Sequence, residues 1–522
     1  MMQPAPRDDM DLRTLFTGLT ANPQARGTPD DDLPAREIVD LTLDSRTVVR
    51  DGLFLACRGA SRHGLDFVAD ALQAGVGAIA WETDGVPSPR LPADVAGIPV
   101  PHLGDRLGEI ANRFFGHPSE ALSLVGITGT NGKTTTAWLV AAAIERLGSR
   151  AGYLGTLGYG FPEALSDAAL TTPDCISFHR QLRAIVDAGG SHAIAEVSSH
   201  ALRQARVAGA HFSTVAFSNL SRDHLDYHAD LHEYGEAKAR LFHLGASHAV
   251  INLDDAFGRE LAANLAARGD AGIIGVSLAD AAGASLQGKL GALTSEGLVL
   301  ELKHVGQSAG RSAGQAAGQT AVLQSPLWGR FNAENLLLAA GILVAEGWPL
   351  AAAAAALAAC DAPPGRLQRV GNRQDQAEVL VDFAHTPDAL AKALEAVREH
   401  CHGDIWCVFG CGGDRDRGKR AAMGAAAVAG AAHVVVTDDN PRSEESRRII
   451  DDILLGISQA DHVEVIPDRA AAIRHAITRA RPGDAVLIAG KGHERDQVIG
   501  NERRPFSDVD VARSALAAGR GS

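Results

Sequence analysis

Short apolar runs alternate with longer mixed stretches along most of the chain, the order expected of strands followed by helices. From Glu37 to about Glu82 the text reads as a strand (IVDLTL), a turn (DSR), a second strand (GLFLAC), a helix (DFVADALQAG) and a third strand (AIAWE). Proline-rich text at 86–101 and GHPSEA at 116–121 bracket another helix, LGEIANRFF, and mark a boundary near residue 119. Beyond it strand and helix repeat: LVGIT before TAWLVAAAIERLG, AIAEV before SSHALRQARV, STVAFSN before a polar segment, and HAVINLD before AFGRELAANLAARG. Such alternation predicts a mainly parallel sheet wrapped by helices. After the helical stretch NAENLLLAAGILVAEG and an alanine-rich helix, DAPPGRLQRV marks a second boundary near 362. Four strand-like runs follow, VLVDFA, IWCVFG, HVVVT and AVLIAG, separated by helical stretches. The near-repeat GQSAGRSAGQAAGQ at 306–319 reads as a surface loop and is assigned no role.

Ligands of doubly wound sheets gather at the carboxyl ends of strands. DFAHTPD, GCGGDRDRGKR, TDDNPR and GKGHE all stand there in the last region, so their polar residues are candidates for one site. In TDDNPR, Pro441 fixes its own backbone angle and keeps Asn440 out of helical geometry, which restricts how Asp439, Asn440 and Arg442 are presented. An ordinary strand-to-helix connection uses the same residue types.

The strongest motif is GITGTNGKTTT at 126–136, between an apolar strand and an amphipathic helix. Its glycines let the N–H groups of Gly129, Thr130, Asn131 and Gly132 approach phosphate oxygens, and the helix adds its positive end. Lys133 supplies charge for a transferring phosphate, Thr134 is placed to hold magnesium, and Thr135 follows in the same turn. Ile127 stands where the usual pattern has its first glycine, but the strand and helix that the mechanism needs are present on both sides. The expected architecture is therefore α/β with three domains. A small α/β domain spans 1–118, a P-loop-type ATPase domain with a mainly parallel sheet spans 119–362, and a doubly wound, Rossmann-like domain spans 363–522. Glu196 and His224 end neighbouring strands and could complete magnesium coordination around ATP, although magnesium prefers oxygen ligands. By composition Lys238 is an exposed helical lysine.

Composition changes this picture only by exclusion. The 522 residues suffice for about three domains of ordinary size. With 49 basic and 63 acidic residues, net −14, a general nucleic-acid or anionic-membrane surface is not expected, though a local basic pocket for an anionic substrate is compatible with it. The six cysteines form no CxxC pair, which argues against a disulfide framework or zinc site and for a reducing cytoplasm. The first residues carry no apolar leader, and no stretch is long and apolar enough for insertion into a membrane.

Taken together, GTNGKTT, EVSSH, NLSRDHLDYH and YGEAKARLF, with LDSRTVVRDGLFLACRG before them and DFAHTPDAL, GCGGDRDRGKR, DNPR and GKGHE after them, resemble the Mur ligase family over nearly the whole chain. The likeness is to the type that adds the third residue of the peptidoglycan stem peptide. It implies a cytoplasmic, monomeric enzyme that uses ATP and Mg2+ to activate the D-glutamyl carboxylate of UDP-N-acetylmuramoyl-L-alanyl-D-glutamate as an acyl phosphate, which the amine of an amino acid attacks. It also implies that Lys238 is carbamylated and holds magnesium with Thr134, Glu196 and His224. Ser45 would lie at the uridine end, and Thr171, Thr172, Ser198 and Arg206 at the muramoyl dipeptide. Asn332, Arg366, Asp382 and His385 would serve the nucleotide or domain closure. Arg415, Asp439, Asn440, Arg442, Gly490 and Glu494 would surround the amino acid. His63 departs from the family, which usually carries an acidic residue there.

Members of this type add either meso-diaminopimelate or L-lysine, and the second carboxylate of diaminopimelate needs a cation, which Arg442 supplies. Meso-diaminopimelate is the expected substrate. A lysine-adding or folylpolyglutamate-type synthetase, and a noncatalytic nucleotide-binding regulator, are the competing readings.

Overall fold

In a computed structural model, residues 10–20, 33–59, 61–83, 85–223, 227–269, 272–305, 318–371, 376–458 and 462–518 are described. His224 and most of the 306–319 near-repeat lie outside the described residues. The chain forms two compact units, residues 1–133 with 144–274 and residues 134–143 with 275–522.

The first unit holds a small parallel sheet of Leu41–Thr42, Leu53–Ala56, Ala78–Glu82 and Ala96–Val100. The expected strand IVDLTL is broken into Glu37–Ile38 and Leu41–Thr42. Alternate residues bury on opposite faces: Leu53, Leu55, Ala78 and Ala80 pack with Phe16, Ile110 and Phe114, while Phe54, Ala56, Ile79 and Trp81 pack with Ala71 and Val76. The same unit carries parallel strands in the order Ala151–Gly155, His192–Glu196, Ser123–Thr128, Thr214–Phe217, His248–Asn252. Their near-continuous burial is what a parallel sheet covered on both faces demands. SSHALRQARV is helical only over Ser199–Arg203.

In the second unit Leu286–Thr294, Gly297–His304 and Thr320–Ser325 form an antiparallel meander. Among the described residues its other large sheet has six strands rather than the four expected. Five are parallel, Glu378–Asp382, Ala485–Ala489, Ile405–Phe409, His433–Val436 and Val463–Val465, and Gln368–Val370 adds an antiparallel edge. Val463–Val465 and Gln368–Val370 are short and half polar, so their apolar signal is weak. The period-2 alternation again divides the core. Ile405, Cys407 and Leu487 face the helices Pro387–His400 and Lys419–Gly430, and Trp406, Val408 and Val486 face Arg469–Arg479 and Asp508–Ala518. Helices on both faces make this sheet doubly wound. Among the described residues no helix is long and apolar enough to cross a membrane.

Candidate functional site

The central strand Ser123–Thr128 delivers its chain into a tight loop at Gly129. Gly129 has φ +146, and a Cβ there would lie 1.9 Å from Ser218 Oγ, so only glycine lets the loop approach the next strand end. Ser218 and Asn219 brace the loop. Thr130 N–H donates to Asn219 O at 2.7 Å, Asn131 N–H to Asn219 Oδ1 at 3.0 Å, and Ser218 Oγ to Asn131 O at 2.6 Å. Lys133 Nζ turns back onto Gly129 O at 2.9 Å and Thr130 O at 3.0 Å. The helix Lys133–Arg146 follows, and Thr134 and Thr135 lie buried in its first turn.

Lys238 is not the exposed lysine that its surroundings in sequence imply. It is 1% exposed, donates from Nζ to Gly129 O at 2.7 Å and lies 4.1 Å from the centre of the Tyr234 ring. Burial, with the charge of Lys133 nearby, pushes its pKa well below the usual lysine range, and Asp223 only partly opposes this.

Glu196 is buried at the end of His192–Glu196, where its carboxylate accepts from Tyr153 Oη, from Thr156 N–H at 2.9 Å and from Thr156 Oγ1 at 3.3 Å. Thr156 also meets Thr171 hydroxyl to hydroxyl at 3.1 Å. Thr172 Oγ1 donates to Glu196 O at 2.8 Å and accepts from Ser198 N–H at 3.1 Å, and Arg206 donates to Thr172 O at 2.8 Å. Thr171, Thr172, Ser198 and Arg206 are thus tied together beside Glu196. Ser45 stands apart from them, buried in a turn after Leu41–Thr42. His63 caps the turn Gly64–Phe67 by accepting from Leu65 N–H on Nδ1, at 3.1 Å.

In the second unit Asn332 lies in the first turn of the helix Arg330–Ala345 and is buried. It donates to Trp328 O at 2.7 Å and accepts from Asn335, which in turn accepts from Thr136 at 3.4 Å. Asp382 accepts from Leu367 N–H at 2.7 Å and Ala384 N–H at 2.8 Å. Burial raises its pKa, against the opposing charge of Arg366. Arg366 lies over the Phe383 ring, and His385 Nδ1 is 2.9 Å from Phe383 O.

The four strand-end loops of this sheet are level with one another, because Asp382 pairs with Ala489, Val408 with Ile488 and Phe409 with Val436. Arg442 has φ +52, a left-handed backbone that costs a non-glycine residue about 1–2 kcal/mol. A hairpin, Asp496–Ile499 with Glu502–Pro505, holds it there: Arg442 N–H donates to Val498 O at 3.0 Å and Gly500 N–H to Arg442 O at 2.7 Å. Its guanidinium reaches Gly413 O at 2.8 Å, in the loop that carries the exposed Arg415. Strain kept in place by surrounding contacts is characteristic of functional loops. Gly490, with φ +114, leaves room for Asp439, whose Oδ2 would lie 2.7 Å from a Cβ. Burial raises the Asp439 pKa, opposed by Arg469 and Lys491.

Several residues that organise this cluster carry no sign in the sequence of the partners they take. Arg420, fully buried, donates to Glu444 and to Asp452, and Glu444 accepts from Asp414 N–H at 2.7 Å, which joins the GGDRD and DNPR loops. The hydrogen bonds from Arg420 hold the Glu444 carboxyl down at about 2, so this tie persists in mild acid. Lys491 is buried among Asn440, Glu494 and Asp496. Arg469 pairs with Asp508 through two bonds of 2.7 Å and also donates to Asp438 O and Ala489 O, the ends of two loop-bearing strands. Asp508→Ala leaves this guanidinium buried without its counter-charge, and urea unfolding is expected to show a loss of about 3–5 kcal/mol. A change below about 1 kcal/mol would contradict the pair's assigned weight.

The chain matches three family profiles in order: "Mur ligase family, catalytic domain" over residues 37–115, "Mur ligase middle domain" over 127–343, and "Mur ligase, glutamate ligase domain" over 365–492. A curated protein of Alkalilimnicola ehrlichii named UDP-N-acetylmuramoyl-L-alanyl-D-glutamate--2,6-diaminopimelate ligase is 46% identical, covering 98% of this chain and 100% of that one. A protein of Pseudomonas aeruginosa with the same name is 45% identical over 98% of each chain. A solved structure of a ligase of that name superposes with a TM-score of 0.70 at 33% identity, covering 99% of this chain and 100% of the other. From Glu37 to Gly492, through the phosphate loop and the four strand-end loops, the chain belongs to the Mur ligase family.

Proposed function

We propose that this protein is an ATP-dependent ligase joining meso-2,6-diaminopimelate to UDP-N-acetylmuramoyl-L-alanyl-D-glutamate in peptidoglycan synthesis. The observation that carries the choice of amino acid is the clamp at Arg442, whose backbone is locked by the hairpin and whose guanidinium is held on Gly413 O; Arg442 stands two residues along the chain from Asn440, which donates to Glu494. The far end of diaminopimelate carries an ammonium and a carboxylate. Glu494 and Arg442 complement the two, whereas lysine would leave Arg442 without a partner. Relatives alike over nearly the whole chain bear the name of this reaction.

In this reading the three expected segments, 1–118, 119–362 and 363–522, take the uridine end, the nucleotide and the amino acid respectively. The loop at Gly129–Gly132 cradles the phosphates of ATP, with Asn332, Arg366, Asp382 and His385 on the nucleotide side. Lys133 moves from loop carbonyls onto the γ-phosphoryl group as it passes to the D-glutamyl carboxylate, giving ADP and an acyl phosphate. Thr171, Thr172, Ser198 and Arg206 orient the dipeptide, and Ser45 the uridine end. The amine of diaminopimelate then attacks the acyl carbon, the amine loses its proton, and phosphate leaves as the amide forms. Arg415, Asp439 and Gly490 complete the amino-acid pocket.

Among the described residues no group of three or more His, Cys, Asp and Glu could hold a metal. The donors fit magnesium only if Lys238 is carbamylated, which turns a cation into a carboxylate. In its neutral form, which the lowered pKa favours, the amine adds to carbon dioxide, forming the N–C bond and releasing a proton. Thr134, Glu196, His224 and the carbamate of Lys238 would then hold Mg2+, which neutralises the gathered phosphate charge when bound. Six cysteines outside any disulfide, four of them with thiols pushed up to about 12 chiefly by burial, accord with a cytoplasmic enzyme, and a monomer is part of the same proposal.

The test is ATP-dependent amide formation with meso-diaminopimelate and with L-lysine in parallel. Diaminopimelate should be preferred by about a hundredfold in kcat/KM or more, and equal rates would overturn the reading of Arg442.

A further inference from the structure

Lys491 lies in the GKGHE loop, is 0% exposed, and spends its three donors on three different elements. They go to Asn440 Oδ1 in the DNPR turn at 3.1 Å, to Glu494 Oε2 at 2.9 Å, and to Asp496 O, where the hairpin begins, at 2.6 Å. Asn440 is committed on both sides of its amide, because Nδ2 donates to Glu494 Oε2 at 2.8 Å and Oδ1 also accepts from Val498 N–H at 2.9 Å. Both donors to Glu494 therefore converge on Oε2. No described residue donates to Oε1, and the side chain is 36% exposed.

We propose that Lys491 is a positioning residue for recognition of the amino-acid substrate: its buried ammonium turns Glu494 so that Oε1 is free for the incoming ammonium, and locks Asn440 and the hairpin around it. This rests on the reading of Glu494 as the ammonium acceptor. Burial alone would raise the Glu494 pKa, but the charge of Lys491 and the hydrogen bonds from Lys491 and Asn440 outweigh it, so the carboxyl lies below the usual range. The other charges that bear on it are His493 and Arg469, which favour the ionised form, and Asp439, which opposes it. Without Lys491, burial and Asp439 act with less opposition, and Glu494 takes up a proton at higher pH.

Lys491→Met should raise the KM for diaminopimelate about thirtyfold at neutral pH while the KM for ATP changes less than about threefold. The acid limb of kcat/KM for the amino acid should move up by about one pH unit or more. In a Glu494→Gln background the same substitution should add about tenfold or less, since only its hold on Asn440 and the hairpin is then left to lose. Where the methionine variant does not accumulate, Lys491→Gln, which keeps a donor without the charge, takes its place with the same expectations. The Glu494 carboxyl resonance, followed by NMR, should titrate at higher pH in the variant with no substrate present. An unchanged titration, an unmoved acid limb, or full multiplicative losses in the double variant would overturn the inference. Failure of the parent enzyme to make any amide from diaminopimelate, with the titration shifted as expected, would instead overturn only the substrate assignment.

Discussion

Lys238→Ala lowers amide formation about a thousandfold, and added acetate or formate restores part of the lost rate. The lysine lies against the phosphate-loop carbonyl of Gly129, where burial and the charge of Lys133 lower its pKa well below the usual lysine range. An ammonium at this point would repel the cation needed beside the phosphates, whereas a carbamate supplies a carboxylate in its place. Alanine in place of a carbamylated lysine would leave a gap that a small free carboxylate can enter. Phosphate release with all substrates present measures the loss, and its dependence on added carboxylate measures the rescue. No rescue would count against carbamylation, and undiminished turnover would remove Lys238 from the reaction altogether. The fold should survive the change, because an apolar side chain replaces a buried amine that burial itself disfavours.

The second large effect is expected at Arg442. Arg442→Ala should raise the KM for diaminopimelate about a hundredfold while the KM for ATP moves less than about threefold, because a carboxylate loses a bidentate partner and the phosphate loop is untouched. Arg442→Lys should recover only a small part, since an ammonium keeps the charge but not the planar fork. Two features beyond charge also depend on this residue: the left-handed backbone held by Val498 and Gly500, and the contact with Gly413 O. Alanine at φ +52 keeps the backbone strain, so the comparison isolates the side chain. Matched rises in both KM values would mean that the turn is structural and the amino acid is read elsewhere.

Both experiments touch residues whose meaning differs in how it could be read. DNPR was legible as a candidate clamp because its residues are adjacent, and proline restricts the turn that presents them. Even so, the backbone strain at Arg442 and its dependence on the hairpin were not, since the hairpin follows the turn by more than fifty residues, as the 58-residue separation of Asn440 from Val498 shows. Lys238 is the stronger case. An amphipathic-looking lysine in YGEAKARLF carries no local sign of burial, and its contact with Gly129 spans 109 residues. The short strands at the edges of the doubly wound sheet were missed for a related reason. With few apolar residues of their own, they are strands because neighbouring strands offer them hydrogen bonds.

The sequence by itself determined the order of strands and helices, the phosphate loop, and the polar loops at strand ends. These are properties of contiguous residues: apolar period, glycine where the backbone must turn, proline where it must stop. Only the tertiary structure decided which charges meet. Arg420 with Glu444 and Arg469 with Asp508 are separated by 24 and 39 residues, the hydrogen bond of the buried Lys491 ammonium to the Asn440 amide spans 51, and no local pattern distinguishes such buried contacts from solvated ones. The physical reason is that a charge costs several kcal/mol to bury unless its partner is in place, and the partner is brought there by the sheet, whose register sets the loops level.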